Sequence, residues 1–103
     1  MKTIITDSGF TATVSTDGAT DIEVRTEQRK QGLVMVISEF DRERTTLSAP
    51  VAERSYRLAE GRPSATVARM WFSRLCIHSR NLISLFSQGK YGEIERYINY
   101  IKI

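Results

Sequence analysis

At 103 residues, with 41% apolar and 26% charged side chains, the chain is sized for one domain around one modest core, and its composition excludes disorder along its whole length. No apolar run approaches the roughly 20 residues that span a bilayer. The opening "MKTIITDSGF" lacks the apolar centre of a signal peptide, and a single cysteine, Cys76, excludes an internal disulfide and fits a reducing, cytoplasmic setting.

In chain order, the first half has the period of strands. "FTATV" alternates, with Phe10, Ala12 and Val14 on one face, and "STDG" after it is turn chemistry. "DIEVRT" alternates again, pointing Ile22 and Val24 one way and Glu23 and Arg25 the other. "EQRKQG" reads as a polar connection ending in a glycine, Gly32, suited to positive φ. "LVMVI" is continuously apolar, as expected of a central strand covered on both sides. The charged "DRER" and then "TTLSA" suggest a loop and a further strand. The expectation is a meander of four or five antiparallel strands over residues 2–49.

The second half changes period. "PVAERSYRLAEG" reads as a short helix, with Pro50 in its first turn and Gly61 as its stop; a strand is the alternative left open. After "RPS" a long helix begins near Pro63 or Ser64, with Val67, Trp71, Leu75, Leu82, Leu85 and Phe86 on one side and Phe72 and Ile83 at its edge. "SQGKYG" breaks it at Gly89, and a last helix carries Tyr91, Ile94, Ile98 and Ile101 on one face. The fold expected is α+β in one domain, residues 1–103: a β-meander (about 2–49), then two or three helices (about 50–103) packed on one face of the sheet.

Chemistry is scarce. The only Trp, Cys and His, Trp71, Cys76 and His78, fall within eight positions. Yet Cys76 and His78, two apart on a helix, point about 200° away from each other and form no nucleophile–base pair. No Gly-x-Ser-x-Gly elbow, P-loop or dinucleotide glycine pattern is present, and one His with one Cys offers little for zinc. The expectation is a non-enzymatic protein with no metal site and no cofactor, in which Trp71 anchors the core.

Charge points to contacts instead. Residues 1–51 hold six basic against eight acidic side chains, residues 52–103 nine against four, and eleven of the fifteen basic residues are arginine. On the long helix Arg69, Ser73, Arg80 and Ser84 lie opposite the apolar stripe, with Arg74 and Asn81 at its margin and Met70 and Ile77 among them. Met and Arg among polar neighbours mark contact surfaces. The expected partner-binding set is therefore Arg69, Met70, Ser73, Arg74, Ile77 and Arg80, extended by Arg54, Arg57 and Arg62 if the short helix folds alongside. The function expected is an interaction module, a small inhibitor or regulator of a protein target. The alternative is nucleic-acid binding by the same arginines. No membrane partner is expected, and a homodimer through the C-terminal helix is a further expectation, because Tyr100 and Ile103 fall off its apolar stripe. Small, motif-free domains of this sort are common among accessory proteins of phages and other mobile elements, an association of type rather than of function.

Overall fold

The computed structural model describes residues 2–6, 9–15, 20–43 and 49–102, with side chains described from residue 20 onward. Strands β1 (Lys2–Thr6), β2 (Gly9–Ser15), β3 (Thr20–Arg29), β4 (Gly32–Asp41) and β5 (Ala52–Glu60) lie side by side in chain order as one antiparallel sheet. Two helices follow, α1 (Ala65–Ser87) and α2 (Tyr91–Ile101). The class is α+β, an antiparallel sheet first and two C-terminal helices last, as the change of hydrophobic period implies. None of the described helices is long and apolar enough to cross a membrane.

Of the strands with described side chains, β4 is the central one, held between β3 and β5. That position explains its continuous apolar run. Leu33, Met35 and Ile37 enter the core, while Val36 and Ser38 are buried on the opposite side. On β3, Ile22 and Val24 join the core, and β5 adds Leu58. Against them pack Trp71, Leu75, Leu82, Ile83 and Phe86 of α1 and Ile94, Ile98 and Ile101 of α2. Both helices thus bury their stripes against one sheet face, and no described helix lies on the other.

The α1 ends follow from local chemistry. Ser64 is the N-cap, its Oγ accepting from the Val67 N–H at 3.3 Å. At the other end Gly89 takes φ +72°, its N–H bonds the Phe86 carbonyl, and the Lys90 N–H bonds the Leu85 carbonyl, both at 3.0 Å. That is a Schellman cap, whose left-handed position favours glycine. The chain then reverses into α2, which is too short to persist alone and depends on its buried isoleucines.

Three expectations need correction. Residues 50–60 are not a helix: Ala52–Glu60 is β5, so the sheet runs past residue 49 into the part of the chain assigned to helices. Ala, Glu, Arg and Leu favour helix locally, but the second edge of β4 would otherwise lack a ladder, and β5 pairs with it from Glu39↔Ala52 to Gly32↔Glu60. Tertiary pairing overrides propensity here. Secondly, Glu27–Arg29 belong to β3, the turn is Lys30–Gln31, and Gly32 opens β4. Thirdly, Gly32 is not among the positive-φ glycines, which are Gly61 and Gly89 among the described residues. Gly32 is needed for space, because a Cβ there would overlap the Ala59 carbonyl oxygen, next to a register shift between β4 and β5 at Leu33/Val34. The "STDG" turn mostly, and the Thr45–Ser48 part of the "TTLSA" segment, lie outside the described residues.

Candidate functional site

Three flanks of α1 have different company. One is buried on the sheet, where Trp71, Leu75 and Leu82 lie with Ser79, whose hydroxyl donates to the Cys76 carbonyl at 3.1 Å. The second holds α2. There the Tyr97 hydroxyl lies 2.6 Å from His78 Nδ1 and accepts from Asn81 Nδ2 at 2.9 Å. One end of the same seam is closed by Arg74, whose Nη1 donates to the Ile101 and Lys102 carbonyls at 2.9 Å each. These are unsatisfied carbonyls at a helix C-terminus, where a cation is also favoured by the helix dipole. Arg74 therefore serves the helical hairpin rather than the free surface.

The third flank faces solvent. Arg69, Met70, Ser73, Ile77 and Arg80 are all exposed, Ile77 at 72% and Met70 at 36%. The last helix does not cross them, because its seam runs along Arg74, His78 and Asn81. Tyr100, exposed at 78%, stands on the α2 turn between the Tyr97–His78 contact and the Arg74–Ile101 contact. It is thus carried to the level of the Arg74–His78 turn of α1, the turn that also bears Ile77. Ile103, the other residue expected to fall off the α2 stripe, lies outside the described residues.

The arginines of this flank differ in company from those of the sheet. The α1 sequence contains no acidic residue. Ion pairs between described residues occur on the sheet and at the end of β4: Arg25 with Glu23, Glu27 and Glu53, Arg29 with Glu27, and Arg42 with Asp21. Among the described residues Arg69 and Arg80 face no carboxylate.

Arg54, Arg57 and Arg62 do not extend this surface, because the segment that would have aligned them is a strand. Arg54 opposes the core residue Ile37 in the β4–β5 register, so it lies on the helix-covered face, with its guanidinium 4.6 Å from the centre of the Tyr91 ring. Beside it, Tyr56 donates its hydroxyl to the Tyr91 carbonyl at 3.2 Å. Burial raises the Tyr56 phenol above its ordinary range; Arg54 opposes that rise, and Glu95 and Tyr91 add to it. Arg57 opposes Val34 and lies on the helix-free face. Arg62 sits in the connection ahead of α1. The expected partner-binding set thus separates into an α1 flank and four arginines placed elsewhere.

The helix-free sheet face is a second polar surface, one not anticipated as a unit. Arg25 Nη1 donates to Ser38 Oγ at 3.0 Å and lies 3.4 Å from Glu23 Oε1, while Ser38 Oγ donates to Glu53 Oε2 at 2.9 Å. Arg25 opposes Val36 in the register, so its network stands over a fully buried apolar residue. No family model, characterised protein or solved structure matches the chain.

Proposed function

We propose that this chain is a protein-binding module without chemistry of its own, an inhibitor or regulator whose contact surface is the solvent flank of α1 with Tyr100 beside it. One observation carries the reading: Ile77 is 72% exposed on a helix flank whose two arginines, Arg69 and Arg80, face no carboxylate among the described residues. Burying Ile77 against a partner contributes on the order of 1–2 kcal/mol. Arginine adds bidentate contacts to acidic side chains on that partner. The fitting target is a protein surface with an apolar pocket rimmed by carboxylates, and the action is occlusion of whatever that surface does.

The test is affinity capture from the native cytoplasm with the wild-type chain and with Ile77→Asp plus Arg80→Glu. The reading expects a protein retained by the wild type and lost from the folded variant. A variant that retains every wild-type partner overturns it. Nucleic-acid binding is the second reading, favoured by the same unpaired arginines. It requires a mobility shift at low salt that weakens steeply as salt rises. An exposed isoleucine at the centre of the flank contributes nothing to phosphate contacts, which is why the protein reading comes first.

A further inference from the structure

β5 is the last strand of the sheet: β4 pairs with one side, and no other described strand pairs with its second edge. Such an edge is a template for another chain unless its side chains forbid it, and charges are the usual guard. Here the charges are arranged otherwise. Glu53 and Arg57 lie on the helix-free face, opposite Ser38 and Val34 of β4, while Arg54 and Tyr56 lie on the helix face, opposite Ile37 and Met35. Ser55 stands midway between both pairs.

We propose that the free edge of β5 pairs with β5 of a second copy of this chain, antiparallel about a two-fold axis through Ser55, to make one continuous sheet. In that register Glu53 of each copy stands directly opposite Arg57 of the other. Arg54 stands opposite Tyr56, a guanidinium beside an aromatic ring, and Ser55 stands opposite Ser55. Directly opposed unlike charges stabilise a strand pair and like charges oppose it. The charges that guard an ordinary edge thus become self-complementary. A shift of one residue in one direction sets Arg54 against Arg57; in the other it leaves Glu53 opposite Tyr56 with no cation. The sign pattern therefore favours one register, as strand pairing requires.

A further feature fits. Arg57 has no ionic partner among the described residues, unlike Arg25, Arg29 and Arg42, so its charge is available across the edge. The surface is separate from the α1 flank, so a dimer keeps that flank free on both copies.

Sedimentation equilibrium of the full chain tests the pairing. The wild type is expected to show a concentration-dependent monomer–dimer equilibrium. Arg57→Glu, which sets like charges opposite at both ends of the pairing, is expected to weaken it roughly 10-fold or more. Mixing Arg57→Glu with Glu53→Arg restores complementary charges and is expected to recover a mixed dimer. Glu53 also accepts from Ser38, so a second measurement avoids that position: Ser55→Cys in a Cys76→Ser background is expected to form a disulfide dimer under mild oxidation, and far less of it when Arg57→Glu is added. A wild type that stays monomeric at high concentration overturns the proposal. So does a dimer that survives Arg57→Glu, or one dissolved by Tyr100→Asp instead, or a mixture of folded variants that forms no dimer.

Discussion

The helix-free sheet face and the solvent flank of α1 both carry arginine, and they use it in opposite ways. On the sheet, Arg25 is 30% exposed and shares its guanidinium among Ser38 and three glutamates, so charge is spent inside the molecule. On α1, Arg69 and Arg80 stand exposed beside Ile77 and Met70 with no carboxylate among the described residues. The difference arises from chain architecture. Alternation along β3 sets Glu23 and Glu27 on the same face as Arg25, and β5, one strand beyond β4, brings Glu53 within reach. A helix whose sequence has no acid has nothing to offer its own arginines, and the flank that α2 occupies takes up only Arg74. A paired network covers the core beneath it; an unpaired flank keeps its interaction energy for another molecule.

The largest effect that breaks the comparison acts on β5, which supplies Glu53 to the sheet network. Gly32→Ala forces a methyl group onto the Ala59 carbonyl, where β4 and β5 approach closely. We expect a loss of roughly 3 kcal/mol in urea unfolding, in the upper part of the range for overpacking. A loss under about 1 kcal/mol would show that β5 relaxes freely and does not fix the network.

A smaller effect sharpens the contrast directly. Arg25→Met keeps a stem over Val36 but leaves three glutamates facing one another and removes a donor from Ser38. The expected cost is on the order of 1–2 kcal/mol. The variant should also regain stability as salt rises, because like charges are then screened. Denaturant midpoints at low and high salt read both effects. A salt-independent loss would assign the cost to packing over Val36 instead.

How far these surfaces were legible in the sequence depends on the distance over which each is built. The α1 flank was readable because helical period alone separates Arg69, Met70, Ser73, Ile77 and Arg80 from Trp71, Leu75 and Leu82, and a helix needs no other element to define its sides. The sheet network was not, because Arg25, Ser38 and Glu53 come together only through the β3–β4 and β4–β5 registers. The reading of Pro50–Glu60 as a helix hid that pairing, and it wrongly aligned Arg54, Arg57 and Arg62 with α1. The residues of Ala52–Glu60 are mostly good helix formers, with Tyr56 the one strongly β-favouring side chain, and a solvated edge strand shows little alternation. Ser79 carried no signal either, since a buried serine bonded to its own helix looks like a surface residue in sequence. Gly32 did announce something, but a tight approach to Ala59 and a positive φ both call for glycine, and sequence does not separate them.

The smallest expected effect is the most discriminating. Replacing Arg69 and Arg80 together by Gln preserves helix propensity and most of each stem while removing both charges. Neither guanidinium has a carboxylate among the described residues, and the solvent around an exposed group takes over its interactions at little cost. Surface changes of that kind usually stay within about 0.5 kcal/mol. We therefore expect the denaturant midpoint to move within that band, against the larger loss at Arg25, where a single arginine is removed. The two results together would show that arginine on the sheet holds the fold and arginine on α1 does not. A double variant that lost more than about 1 kcal/mol would mean that these side chains hold the fold too, and the flank could not then be free for a partner.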